Sequence, residues 1–176
     1  MPAKKGFTLI ELLVVIAIIS VMMSAVIVSV NPSKRIAEAK DSNRLTHMNQ
    51  IVSALEAYRL RNGQYPAISA DACCDGWDQG PCNGSGTFID LLRTTGFLKI
   101  VPVDPTTTTG TGCYGYGYYR YPAGSSGCST ARGAFYVLGV RNMESVTGAH
   151  PSSPGWSCPS RNWQGEYEWV TGSFEN

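Results

Sequence analysis

Lys5-Gly6-Phe7-Thr8-Leu9-Ile10-Glu11-Leu12-Leu13-Val14-Val15-Ile16-Ala17-Ile18-Ile19-Ser20 stands near the start of this 176-residue chain. From Leu12 to Val30 there are 19 residues without a charge, and only Ser20, Ser24 and Ser29 are polar. At a rise of ~1.5 Å per residue such a run makes roughly 28 Å of helix, close to the thickness of a bilayer's hydrocarbon core. A cleaved secretory signal would be shorter and would end in a small-x-small site. Lys4 and Lys5 precede the run and place the amino terminus on the cytoplasmic side, with the remainder across the membrane.

Glu11 lies between Ile10 and Leu12 at the edge of this apolar segment, where a carboxylate is costly. One explanation is local. Thr8-x-x-Glu11 has the spacing of a capping box, and an acid in the first turn suits the helix dipole. A second comes from family likeness. The string KGFTLIELLVVIAIIS resembles the processing and assembly segment of type IV prepilins and pseudopilins. The resemblance implies that a membrane peptidase cuts between Gly6 and Phe7 and methylates Phe7. It also implies that Glu11 pairs with the amino terminus of a neighbouring copy. The implied partners are other copies in a helical filament, the prepilin peptidase/methyltransferase, the inner-membrane assembly machinery, and membrane lipid before assembly. A plain signal anchor with an uncut amino terminus is the alternative.

Outward from this segment, Asn31-Pro32 interrupts the run and predicts a kink. Helical spacing then resumes. Ile36, Ala39, Leu45, Met48, Val52, Leu55 and Tyr58 define an apolar stripe, with Lys34, Glu38, Asp41, Arg44, Gln50 and Arg59 mostly elsewhere. Lys34 and Glu38 have the i,i+4 spacing of a surface pair. Asn62-Gly63 and Pro66 end the helix. A nearly continuous helix over 8–62 would be about 80 Å long, more than a compact domain of this size buries. The expected organisation is a leader at 1–6, a transmembrane and assembly helix at 7–62, and a globular extracytoplasmic domain at 63–176. The end of the helix, Arg61-Asn62-Gly63-Gln64-Tyr65-Pro66, also resembles major pseudopilins and related bacterial pilins.

Residues 1–62 hold eight Lys/Arg against four Asp/Glu (+4), and residues 63–176 hold six against nine (−3), which recovers the net charge of +1. So small a net charge gives no strongly basic surface for nucleic acid. Cys73, Cys74, Cys82, Cys113, Cys128 and Cys158 all lie in the distal part and read as a disulfide framework of an oxidising compartment. Zinc is disfavoured, because there is no Cys-x-x-Cys pair and neither His47 nor His150 has ligand spacing. Among the 15 possible pairings, Cys113–Cys128 would close the loop between two expected strands.

Those strands are Tyr114–Tyr121 and Ala134–Arg141, plausible antiparallel neighbours, with Gln164–Val170 as a further candidate. Residues 87–98 suggest a short helix capped by Thr87 and ended by Gly96. The fold class is therefore α+β, a pilin-like long helix packed on a small antiparallel sheet. Leu98-x-x-Val-Pro-x-Asp104-Pro105 and the Phe135–Arg141 strand are similar to the major pseudopilin of type II secretion, whereas the six cysteines and Trp156, Trp163 and Trp169 depart from it.

Other motifs have plainer readings. Gly110-x-Gly112-x-x-Gly115 follows threonines rather than a strand, so it reads as turn glycines and not a phosphate cradle. Some major pseudopilins bind calcium through a loop, which makes Asp71, Asp75 and Asp78 candidate ligands. Their spacing is not that of an EF-hand, and solvated loop carboxylates are the ordinary alternative. Asn83-Gly84-Ser85 is a glycosylation sequon. His47 falls on the polar part of the helix and His150 in a Pro/Ser loop, with no nucleophile or acid evident for either. No enzyme chemistry and no cofactor are expected. The expected role is a structural filament subunit, of a cell-surface pilus or of a periplasmic secretion pseudopilus. A membrane-anchored binding domain that does not polymerise is the second alternative.

Overall fold

The computed structural model describes residues 6–68, 77–79, 88–106 and 115–176. The chain divides into two compact units, Met1–Ile36 and Ala37–Asn176.

In the first unit, helix α1 (Leu9–Val30) begins at the N-cap Thr8 with a complete capping box. The apolar character that makes it a helix also leaves it bare: Leu9, Ile10, Leu12, Leu13, Ile16, Ile18, Ile19, Val21, Met22 and Met23 are all exposed. These residues occupy every side of the helix. The polar interruptions are satisfied internally, with Ser20 Oγ donating to the Ile16 carbonyl (2.7 Å) and Ser24 Oγ to the Ser20 carbonyl (2.9 Å). That back-bonding is how hydroxyls are tolerated in apolar surroundings. Among the described residues no helix is long and apolar enough to cross a membrane. The side chains so described in α1 are those of residues 9–24 and 26, and the uncharged run of the sequence extends beyond them to Val30.

The kink expected at Asn31-Pro32 is present. Asn31 takes a left-handed conformation (φ 44°, ψ 74°) and ends α1. Its carbonyl then accepts from the Lys34 and Arg35 amides, while Pro32 occupies the first position of α2 (Pro32–Asn62). Asparagine tolerates this backbone region, and proline lacks a donor that the first turn would leave unused. The continuous helix expected over 8–62 is thus two helices.

In the second unit α2 ends at Gly63 (φ 76°), whose amide donates to the Arg59 carbonyl at 2.7 Å. Its buried face comprises Asp41, Arg44, Met48, Ile51, Ala54 and Leu55. This corrects the expected stripe toward its amino end: Ile36 is exposed, and Asp41 and Arg44, expected outside, are inside. Charges are buried when each is fully paired, and a side-chain type alone does not reveal that.

A four-stranded antiparallel sheet has the order β1-β2-β3-β6, formed by β1 (Asp78–Gln79), β2 (Tyr116–Tyr121), β3 (Phe135–Val140) and β6 (Trp169–Phe174). The expected pairing of the two central strands holds, from Tyr116 opposite Val140 to Tyr121 opposite Phe135. The third expected strand is displaced. Trp163–Gly165 is a 3-10 turn, and pairing runs from Trp169 opposite Val140 to Phe174 opposite Phe135.

Strand β3 is buried along its whole length, so its sequence FYVLGV shows no polar alternation. Tyr136, Leu138 and Val140 join a cluster with Met48, Ile51 and Leu55 of α2 and with Tyr65, Tyr116, Tyr118 and Trp169. Phe135 and Val137 face a second cluster with Trp77, Trp163, Tyr167 and Val170. Gly139 and Gly172 let rings lie on the sheet: a Cβ at Gly139 would fall 2.5 Å from Tyr167, and one at Gly172 2.5 Å from Trp156. Gly172 within β6 resembles a turn in sequence, and the strand runs on past the end that local pattern suggests.

Short elements complete the unit. Helix α3 (Asp90–Thr94) is shorter than the one expected over 87–98, and its N-cap Ile89 supplies no side-chain cap. Strands β4 (Ser157–Cys158) and β5 (Arg161–Asn162) form a small hairpin. Cys158 of this hairpin is disulfide-bonded to Cys128, with Cα atoms 5.1 Å apart. Cys128 is therefore not available to Cys113, and the bridge joins the β2–β3 loop to the following hairpin instead of closing that loop on itself.

Candidate processing and assembly site

The head of the chain combines an open segment with a capped helix. Gly6, Phe7 and Thr8 precede α1 without regular structure and are exposed. Space around Gly6 is open, with nothing within 4 Å of a Cβ built there. Phe7 is 77% exposed. Residues 6–8 thus stand uncovered before a capped helix.

Thr8 then fixes Glu11. The Thr8 amide donates to Glu11 Oε2 at 2.9 Å, the Thr8 hydroxyl donates to the same oxygen at 2.7 Å, and the Glu11 amide donates to Thr8 Oγ1 at 3.3 Å. The carboxylate is thereby turned toward the amino end of its own helix, where the dipole favours negative charge. The local explanation of Glu11 is present in the structure. It leaves the carboxylate exposed at the end where a processed amine would sit.

Most of the other sequence candidates fall outside the described residues. Cys73, Cys74, Cys82, Cys113, Asp71, Asp75 and the sequon at Asn83 lie outside the described residues, as do residues 110–114 of the glycine motif. Asp78 is described only as a backbone member of β1. Among the described residues no three His, Cys, Asp or Glu side chains gather as a metal site.

Two groupings were missed in the sequence. His47, expected to be solitary, has its Nδ1 2.7 Å from the hydroxyl of the buried Tyr116. Burial pushes the imidazole below its ordinary value, partly opposed by the charge of Asp104. The larger grouping centres on Arg44, which is 2% exposed. Its guanidinium donates to Asp104 through Nε (2.9 Å) and Nη2 (3.0 Å), to Asp41 through Nη1 (2.6 Å), and to Glu144 (2.8 Å) and Thr106 (2.7 Å) through Nη2.

Asp41 in turn accepts from the backbone amides of Glu144 (2.9 and 3.0 Å) and Ser145 (2.7 Å). Lys40 Nζ adds a contact to Glu144 at 2.9 Å. Burial would raise the Glu144 carboxyl, but the hydrogen bonds from Thr106, Arg44 and Lys40 prevail and hold it at about 2. Against burial, the bonds that Arg44 donates to Asp104 and Glu144 likewise strengthen its hold on its proton. The i,i+3 spacing of Asp41 and Arg44 was the one signal available in the sequence.

Comparison with known proteins bears first on the head of the chain. The family model described as the prokaryotic N-terminal methylation motif matches residues 1–27. Over 79 residues the chain is 34% identical to the type IV wide pilus major component PilA4 of Thermus thermophilus, covering 45% of this chain and 59% of that protein. No solved structure matches the chain significantly. A methylation motif at its head, a long amino-terminal helical region and a small antiparallel sheet are the features in which this chain is similar to type IV pilins.

Proposed function

We propose that the chain is a structural subunit of a type IV pilus-like filament. Its leader is cut between Gly6 and Phe7 by a prepilin peptidase, which methylates Phe7. The inner-membrane assembly machinery then moves it from lipid into a helical polymer of its own copies. The observation that carries this reading is α1: apolar side chains stand exposed around the whole helix, Leu9 at 82%. Apolar surface of that extent finds cover in lipid or protein.

Its 22 residues make about 33 Å of helix, and on this reading the uncharged run Leu12–Val30, which extends past the described side chains, lies in lipid before assembly. Cleavage creates an amine at Phe7, and Glu11 of a neighbouring copy is its counter-charge in the apolar interior of the fibre. Leaving either charge without a partner there is costly.

A displayed pilus is the form favoured, because the relative that covers 45% of the chain is named for a pilus. The Leu98–Pro105 run that resembles secretion pseudopilins holds Asp104, which is engaged by Arg44 and so serves the fold in either apparatus. Electron microscopy of the cell surface separates the two forms. Mass spectrometry of the mature chain tests the processing step: the expected terminus is N-methylated Phe7, and a chain beginning at Met1 or Pro2 overturns the proposal.

A further inference from the structure

Within the globular unit, α2 is gripped by two kinds of contact in succession. From Met48 to Leu55 the buried face is apolar. Toward the amino end that face gives out. Leu45 is half-buried, residues 37–40 are exposed or half-buried, and the two buried positions are Asp41 and Arg44. Among the described residues they are the only buried charged or polar side chains. What they hold is distant in sequence: Asp104 and Thr106 after α3, and Glu144 and Ser145 after β3.

We propose that Asp41 and Arg44 form a polar clasp that fixes where α2 leaves the globular unit. Residues 37–45 open as a local unit when the clasp is broken, while the apolar grip beyond Met48 keeps the rest folded. The physical reason is the asymmetry of the two grips. A guanidinium fork serves Asp41, Asp104 and Glu144 at once, and neither a lysine nor an apolar side chain reproduces that geometry. Without the fork, Asp41, Asp104 and Glu144 lose the donor they share, and the contact from the partly exposed Lys40 goes to Glu144. Hydrating them by opening two helical turns costs less than unfolding the core. For a subunit read as above, the clasp sets where the hold of the globular unit on α2 ends.

Hydrogen exchange of the mature full chain in detergent micelles tests this on the monomer, so its failure is distinct from failure of the filament reading. Arg44→Lys is expected to speed exchange in peptides over 37–45 by about tenfold or more, with peptides over 48–60 unchanged. Wild-type exchange in 37–45 overturns the proposal. So does a uniform loss of protection in every peptide, which would make the cluster part of one cooperative core. Should Arg44→Lys not fold, Glu144→Gln decides alone: a smaller rise confined to 37–45 supports the clasp, and no rise there refutes it.

Discussion

Helices α1 and α2 follow one another in the chain, yet they treat charge and apolar surface in opposite ways. In α1 the apolar side chains stand outside and the lone carboxylate, Glu11, is answered by Thr8 within its own first turn. In α2 the outer face is polar, and an aspartate and an arginine lie inside among the core residues. The difference teaches that helical pattern records where cover comes from. An apolar face on one side signals a partner within the chain, whereas apolar residues all round signal a partner outside it.

The contrast can be broken at its strongest point by Glu11→Ala. Loss of the counter-charge is expected to reduce filaments to undetectable levels by electron microscopy while processed, membrane-held protein accumulates; normal filament numbers would leave α1 assembly without its ionic pair. The globular unit should respond by stability instead. Replacing both Cys128 and Cys158 by serine removes a link between residues 30 apart and is expected to cost about 3.5 kcal/mol in the chain-entropy description. Denaturant melts read this, and an unchanged midpoint would contradict it.

Gly139→Ala sets a methyl group 2.5 Å from the Tyr167 ring, and the overpacking is expected to cost about 1–3 kcal/mol. Gly63, which has open space around it, is the control for close approach, although its positive φ adds strain of its own to any substitution.

The smallest effect is on pH dependence. Burial holds His47 below its ordinary value, so the unfolded chain takes up that proton first as pH falls. Its contribution is complete above about 6.5 and declines below. Glu144 sits at about 2 in the folded unit against an ordinary 4.5, so its contribution is complete above 4.5 and is lost as pH falls toward 2. The melting temperature should therefore drop on acidification in two stages, and Glu144→Gln should flatten the lower one. A melting temperature independent of pH between 7 and 3 would remove the ionic part of the account.

Local features were legible in the sequence because consecutive residues carry them. Thr8 and Glu11 sit three apart, Asn31-Pro32 is a dipeptide, and β2 and β3 are continuous runs. The Arg44 cluster was not legible, because its acceptors are 60 and 100 positions away and a charged side chain is ordinarily placed outside. The same distance hid the partner of Cys128. The seat of Tyr167 over Gly139 follows from ring packing across the sheet, which no local pattern records.

Dilution of detergent from the purified mature chain, followed by sedimentation and microscopy, tests most directly whether α1 finds its cover in sister molecules. Ordered fibres that require Glu11 are the predicted result. A monodisperse monomer with the α1 amides protected by its own globular unit would contradict the account.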